Sequence, residues 1–104
     1  MSLSTHVLDT SLGRPAAGVA VRLEARTNDG WRALERGTTN TDGRITGWDA
    51  AVGVHRLVFD IAAYHGSSAF YPEVVVVFRI SDPSEHYHVP LLISPFGYST
   101  YKGS

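Results

Sequence analysis

Apolar side chains occupy every second position of the stretch Val19-Ala20-Val21-Arg22-Leu23-Glu24-Ala25-Arg26. Alternation with a period of two predicts a β-strand that has one buried face. Asn28-Asp29-Gly30 follows directly, and a glycine beside Asn or Asp is the usual chemistry of a tight hairpin turn. We therefore expect residues 31–39 to form a second strand that pairs antiparallel with the first.

Strand-like segments separated by turn residues continue on both sides of this hairpin. They are expected at 4–9, from Arg44 onwards, at 53–59, 73–80, 85–93 and 98–102. Residues 73–80 form a continuous apolar run, which predicts a central strand that is covered on both faces. Only 60–65 has helical character. About seven or eight short strands predict an all-β fold, a two-sheet antiparallel β-sandwich with one short helix.

The length and composition of the chain limit the number of domains and the class of protein to which it can belong. A chain of 104 residues predicts one domain over 1–104. Hydrophobic residues make up 43% of it and the formal net charge is -1, values typical of a soluble globular protein and not of one that binds nucleic acid. The absence of cysteine excludes disulfides and thiolate metal sites.

The first residues, Met1-Ser2-Leu3-Ser4-Thr5-His6, lack the basic start and apolar core of a secretory signal. No run approaches the ~20 apolar residues of a membrane span. These features predict a cytoplasmic protein without a membrane partner, and they leave periplasmic and peroxisomal locations open.

Histidines are the first candidates for chemistry, because the chain has no Gly-rich phosphate loop, nucleophile elbow or helical zinc motif. His6 shares a strand face with Leu8, and His86 and His88 share a face of another strand. A histidine in a strand is more often a surface residue or a hydrogen-bonded core residue than a catalytic one. A metal site at His86 and His88 would lack a third ligand.

Position in the sequence alone does not indicate a functional role for Arg44 or for the C-terminal residues. Arg44 follows the turn Asp42-Gly43, where a solvated arginine is the usual interpretation. Residues 98–104 have the pattern of an edge strand with a frayed end. The pattern of residues thus predicts a sandwich and only weak candidates for a site.

Six segments spread over the chain carry a family resemblance: Ser4-Thr5-His6-Val7-Leu8-Asp9-Thr10, Gly13-Arg14-Pro15-Ala16, Thr41-Asp42-Gly43-Arg44, Phe70-Tyr71-Pro72-Glu73-Val74, His86-Tyr87-His88-Val89-Pro90-Leu91-Leu92-Ile93-Ser94-Pro95 and Gly97-Tyr98-Ser99-Thr100-Tyr101. Together they resemble the transthyretin-related family, in particular its 5-hydroxyisourate hydrolase branch. The hormone carrier of this family shares a similar ending, but it lacks histidines at the positions matching His6 and His88 and the arginine matching Arg44. The resemblance therefore implies the hydrolase branch.

The resemblance implies a transthyretin-like sandwich that assembles as a homotetramer, a dimer of dimers with active sites in the channel between the dimers. The implied reaction hydrolyses an amide bond in the six-membered ring of 5-hydroxyisourate, in urate degradation, without a metal or other cofactor. The product is 2-oxo-4-hydroxy-4-carboxy-5-ureidoimidazoline.

The resemblance also implies the site residues. His6, Arg44, His88 and Ser104 are the expected catalytic residues, and Tyr101, Lys102 and Gly103 are expected to join them in binding the substrate. A histidine, His88 with His6 as its partner, would activate water, and Arg44 would stabilise the oxyanion. The terminal carboxylate of Ser104 could orient a histidine or the substrate.

One departure and two alternatives accompany this interpretation. The branch ends in Tyr-Arg-Gly-Ser, whereas here Lys102 keeps the positive charge but lacks the planar fork of arginine. A transthyretin-like carrier would use the same channel to hold a small planar ligand without converting it. A β-sandwich adhesion domain would instead be a monomer with these residues on its surface.

Overall fold

Residues 2–104 fold into two packed β-sheets, as described by a computed structural model. Met1, which belongs to the predicted domain 1–104 and to the N-terminal stretch considered above, lies outside the described residues. The elements in chain order are β1 Ser2–Asp9, β2 Arg14–Pro15, β3 Ala20–Thr27, β4 Gly30–Thr38, β5 Arg44–Trp48, β6 Gly53–Asp60, α1 Ala62–His65, a 3-10 turn Gly66–Ser68, β7 Glu73–Ile80, β8 His86–Ser94 and β9 Gly97–Thr100.

The strands divide into a five-stranded and a four-stranded sheet. The first has the order β2-β1-β8-β9, with β5 also paired to β1, and the second has the order β4-β3-β6-β7. Neighbouring strands run antiparallel except β1 and β8, which run parallel because a long connection brings the chain back to the same end of the sheet. The predicted all-β sandwich with one short helix is confirmed.

The core lies between the two sheets and is built mainly from buried side chains of β1, β3, β6, β7 and β8. Val21 and Leu23 of β3 are buried, as the period-two pattern predicts, and the hairpin into β4 is antiparallel. The other fully buried large apolar residues come from both sheets and include Leu3, Val7, Leu57, Phe59, Leu91 and Ile93. Burial of these facing side chains is the main source of stability in such a sandwich.

The strand β7 corrects one prediction, because it forms an edge of the four-stranded sheet and not its centre. Val74 and Ile80 are buried in the core, but Val75 is 38% exposed and Val77 is 53% exposed on the opposite face. The expectation of a central strand covered on both faces was therefore wrong. A continuous apolar run has the same pattern whether its second face is covered inside the chain or left open, so periodicity cannot distinguish the two cases.

A buried carboxylate links the short helix to the five-stranded sheet. Asp9, at the end of β1, is 1% exposed and accepts a hydrogen bond from the hydroxyl of Tyr64 in α1 at 2.9 Å. It also accepts bonds from the hydroxyl and backbone N–H of Ser11 and the N–H of Leu12. Burial by itself would raise the pKa of Asp9, but these four hydrogen bonds outweigh it and lower the pKa.

In residues 2–104, no helix is both long enough and apolar enough to cross a membrane.

Candidate active site

His6, Arg44 and His88 lie on three adjacent strands of the five-stranded sheet. β1 lies between β5 and β8, so that His6 is the cross-strand partner of Arg44, and Ser4 is the partner of His88. Leu3, Thr5 and Val7 of β1 point into the core, so the alternate positions Ser4 and His6 project from the outer face. The register of the sheet therefore places the two histidines and the arginine side by side on one face.

A tight turn sets the position of Arg44. The side-chain oxygen of Asn40 accepts hydrogen bonds from the backbone N–H groups of Asp42 at 2.9 Å and Arg44 at 3.0 Å. Gly43 has a φ of +74°, and a Cβ at this position would lie 2.5 Å from the carbonyl oxygen of Val7. Only glycine fits, since it tolerates both the left-handed backbone and the close approach. The turn consequently packs against β1 and presents Arg44 beside His6.

The environment of the two histidines favours their neutral forms. Burial lowers the pKa of His6, and the positive charge of Arg44 lowers it further. Burial also lowers the pKa of His88, and the neighbouring charges of Arg44, His6 and His86 act in the same direction. A neutral imidazole can accept a proton from water, so both side chains are in the form that a general base requires near neutral pH.

Hydrogen bonds hold the ring of His88 on one side only. Its Nδ1 lies 2.7 Å from the Oγ of Ser4, and the same Oγ lies 3.1 Å from Nε2 of His86. Nδ1 of His86 lies 2.5 Å from the Oγ of Ser2. Among the side-chain hydrogen bonds of residues 2–104, none involves Nε2 of His88, which leaves this nitrogen available for a ligand.

The last residues of the chain pack against His88. The N–H of Gly103 donates to the carbonyl oxygen of His88 at 2.8 Å, forming an isolated bridge between the tail and β8. A Cβ at Gly103 would lie 2.5 Å from Cδ2 of the His88 ring. The tail, which the pattern alone predicts to be frayed, thus covers one edge of the imidazole, and it can do so because residue 103 has no side chain.

The other tail residues, Tyr101, Lys102 and Ser104, are exposed. Lys102 donates to Oε1 of Glu85 at 2.8 Å and lies over the ring of Tyr87. The hydrogen bond with Glu85 raises the pKa of Lys102, so its ammonium group stays protonated to a higher pH. Tyr101 is 60% exposed, and Ser104 is exposed after Gly103.

A cavity of about 430 Å³ adjoins His88. Tyr101 and Lys102 line it together with His88, and apolar residues of the edge strand β7 form the opposite wall. His6 and Arg44 are not among its lining residues. The structure therefore brings His6, Arg44, His88 and Gly103 together, whereas Tyr101 and Lys102 meet His88 from the side of this cavity.

Two residues of this arrangement are absent from the predicted site. Ser4 joins His86 to His88, and the sequence pattern indicates His86 only as half of a metal pair. Within the described residues 2–104, no group of three or more His, Cys, Asp or Glu side chains is arranged to hold a metal ion. The signal for Ser4 was its period-two spacing from His6, which places it on the same face of β1.

The chain is similar to known proteins over nearly its whole length. The family model described as HIUase/Transthyretin family matches residues 3–103. A 5-hydroxyisourate hydrolase of Salmonella dublin is 49% identical over 109 residues, which cover 98% of this chain and 80% of the relative. Among solved structures, transthyretin from Sparus aurata superposes with a TM-score of 0.89 at 34% identity, over 97% of this chain and 95% of the other. A Klebsiella pneumoniae 5-hydroxyisourate hydrolase superposes with a TM-score of 0.86 at 35% identity, over 100% of both chains.

Proposed function

Because the chain belongs to the HIUase/Transthyretin family, we propose that it is an enzyme that hydrolyses 5-hydroxyisourate without a metal or other cofactor. The reaction opens the six-membered ring at an amide bond and yields 2-oxo-4-hydroxy-4-carboxy-5-ureidoimidazoline. The observation that carries the proposal is the group of His6, Arg44 and His88 on one sheet face, in a chain similar over nearly its full length to named hydrolases.

His88 acts as the general base in this mechanism. Water is a poor nucleophile near neutral pH, and it needs a group that accepts its proton as it attacks the carbonyl carbon. Nε2 of His88 is free, and burial together with Arg44 lowers the pKa of the ring, so it is neutral at the working pH. The protonated His88 then returns the proton to the departing ring nitrogen. His6 faces the same space and assists as the second imidazole.

Arg44 stabilises the negative charge that develops on the attacked carbonyl oxygen. Its guanidinium is permanently charged, and its planar array of donors suits an oxygen-rich heterocycle. Donors that are already oriented stabilise such an oxyanion without reorganisation during the reaction. The turn built on Asn40 and Gly43 fixes the backbone of Arg44 beside β1, which places the start of its side chain next to His6.

The tail contributes to substrate binding. Tyr101 and Ser104 offer hydroxyl groups, and the backbone of Gly103 lies against His88. Ser104 also belongs to the proposed catalytic set, as the family resemblance implies, and its neighbour Gly103 packs on His88. Lys102 is held by Glu85, so we assign it the role of a positive charge at the rim of the cavity and not that of a bidentate donor.

Assembly into a homotetramer is part of the proposal, each subunit being a single domain over 1–104. Two edge strands, β7 and β9, line the same cavity and so lie on the same side of the sandwich, and both expose apolar or aromatic residues, including Val77 and Tyr98. Pairing of each edge strand with its copy would bury these residues and satisfy the open backbone groups. Two such dimers would then enclose the outer face that carries His6 and Arg44.

A small-molecule carrier is the second candidate, and the TM-score of 0.89 with a transthyretin favours it. A carrier would bind a planar ligand on the same face without converting it. The paired His6 and His88 beside Arg44 argue for the enzyme, because an apolar ligand would gain little from three ionisable groups.

The decisive experiment follows the ultraviolet decay of 5-hydroxyisourate generated from urate by urate oxidase. We expect catalytic amounts of the protein to accelerate the decay, with no dependence on added metal or organic cofactor. A spontaneous rate that the protein leaves unchanged would contradict the hydrolase proposal, and in that case stoichiometric binding would support the carrier. Loss of activity with a chelator would contradict the metal-free mechanism.

A further inference from the structure

Four side chains form a continuous hydrogen-bonded chain across β1 and β8. The distances are 2.5 Å from Ser2 Oγ to His86 Nδ1, 3.1 Å from His86 Nε2 to Ser4 Oγ, and 2.7 Å from Ser4 Oγ to His88 Nδ1. The parallel register accounts for this chain, since it pairs Ser2 with His86 and Ser4 with His88. His86 is exposed, whereas Ser4 is 7% exposed, so the chain leads from the surface to His88.

The direction of the hydrogen bonds follows from the donors that each group has. A neutral imidazole carries one N–H, and a serine hydroxyl donates one proton while its oxygen accepts. If Nε2 of His88 is to accept a proton from water, its Nδ1 must carry hydrogen and donate to Ser4 Oγ. The hydroxyl proton of Ser4 then points to Nε2 of His86, and Nδ1–H of His86 donates to Ser2. Each of the three contacts then has one donor and one acceptor.

We propose that Ser4 and His86 act as positioning residues that hold His88 in the tautomer with hydrogen on Nδ1, so that Nε2 is presented as the base. The tautomer of a histidine is set by the hydrogen bond that its other nitrogen makes. This inference rests on the proposed function for its link to turnover, but the tautomer itself is a property of the free protein.

Removal of His86 should affect activity in a way that the loss of its packing contacts alone would not explain. His86 accepts the hydroxyl proton of Ser4, and without this acceptor Ser4 would donate to Nδ1 of His88 instead. Such a bond favours hydrogen on Nε2 of His88, which is the wrong tautomer for a base. Removing His86 should therefore do more harm than removing Ser4, and removing both should be less harmful than removing His86 alone.

Kinetics of five variants test this order. We expect kcat to fall about tenfold in Ser4→Ala, a smaller loss than the ~100-fold or more for removing a general base. It should fall further in His86→Ala and return to the Ser4→Ala level in the double variant Ser4→Ala/His86→Ala. KM should change little, because neither residue is proposed to touch the substrate. Ser4→Thr keeps the hydroxyl and should retain most of the activity, and Ser67→Ala, in the exposed 3-10 turn, is the matched control for a lost serine hydroxyl.

Nitrogen-15 spectra of the histidine rings provide a second readout that does not depend on activity. In the native protein at a pH where His88 is neutral, its Nδ1 should have the chemical shift of a protonated nitrogen and its Nε2 that of an unprotonated one. His86→Ala should shift His88 towards the opposite tautomer, and circular dichroism would verify that each variant is folded.

Three outcomes would overturn the inference: hydrogen on Nε2 of His88 in the native protein, an unchanged kcat in folded Ser4→Ala, or losses that simply add in the double variant. A native protein that leaves 5-hydroxyisourate unaffected would contradict the proposed function instead, and the tautomer measurement would still decide the positioning role. The two failures are therefore distinguishable.

Discussion

Gly103 lies so close to the imidazole of His88 that the chain has no room for a side chain there. A Cβ at Gly103 would lie 2.5 Å from Cδ2 of His88 and 3.2 Å from Cγ. Both atoms belong to the ring of the proposed base, so a methyl group must displace either the ring or the tail. The site therefore depends on a residue that has no functional group of its own.

We predict that Gly103→Ala lowers kcat by about tenfold or more while the sandwich stays folded, because a misplaced base loses much of the 10²–10⁴-fold contribution of general base catalysis. The control is Gly97→Ala in β9, where the added Cβ would lie 3.7 Å from Ser94 Oγ, an ordinary contact. Turnover of 5-hydroxyisourate by both variants is the measurement. Equal and nearly native rates would show that the tail does not position His88.

We further predict that His88→Ala and Arg44→Ala each reduce turnover by ~100-fold or more, the typical scale for losing a general base or an oxyanion stabiliser. The reason is that His88→Ala removes the proposed base and Arg44→Ala removes the proposed oxyanion stabiliser. Arg32→Ala, an exposed arginine on β4 in the other sheet, is the matched control. A folded His88→Ala or Arg44→Ala with a nearly native rate would remove that residue from the mechanism.

Among the secondary-structure elements, the short helix α1 depends on the sheet for its position. Four residues are too few to form a stable helix alone. The hydrogen bond from Tyr64 to Asp9 attaches α1 to the end of β1, and the carboxylate is buried and ionised. Because hydrogen bonds to charged groups are stronger than neutral ones, this contact has a larger effect than a surface contact would have.

We predict that Tyr64→Phe destabilises the protein by about 1–3 kcal/mol near neutral pH, as expected when a buried carboxylate loses a hydrogen-bond donor. Urea unfolding measures the change, and Tyr71→Phe, at a tyrosine that is 41% exposed, serves as the control. The hydrogen bonds lower the pKa of Asp9 from 3.8, so their stabilisation is present above that value and is lost as the pH falls through the lower pKa of the folded state. The difference between the native protein and Tyr64→Phe should therefore shrink in acid. A difference that is independent of pH would contradict the link to the charge of Asp9.

At the scale of the whole molecule, the sandwich has an exposed edge, formed by β7 and β9, that would stay uncovered in a monomer. β7 and β9 are edge strands of the two sheets and line one cavity, and a long edge strand with apolar residues favours pairing with another chain. Val77 of β7 is 53% exposed in the single chain. A second copy would cover it, and the proposed dimer of dimers begins with this contact.

We predict that light scattering gives the mass of a tetramer for the native protein and a smaller assembly for Val77→Lys, because a charge on the edge strand resists burial. Val52→Lys is the matched control, since Val52 is 56% exposed but lies outside the strands, between β5 and β6. Activity should fall together with assembly if the site needs the neighbouring subunits. A native monomer would contradict the tetramer and favour the interpretation as an isolated β-sandwich domain.

The sequence by itself determined the features that depend on neighbours along the chain. The alternation around Val21 and Leu23 predicts the strand and its buried face, and Asn28-Asp29-Gly30 predicts the hairpin, because burial periodicity and turn conformation are local properties. The resemblance supplied His6, Arg44 and His88 as candidates, and their roles remain predictions. The composition of β7 revealed a strand but not its place in the sheet.

Only the tertiary structure decided which distant residues meet. The parallel pairing of β1 with β8 joins Ser4 to His88, which are 84 positions apart, and no local pattern encodes that register. The same pairing shows that Ser4 and His86 form one hydrogen-bonded group with His88. Likewise, the tail packs on His88 because Gly103 lacks a side chain, whereas its sequence resembles a frayed end. The physical reason is that strand pairing and close packing minimise the free energy of the whole chain, so the contacts of one residue depend on segments far from it in sequence.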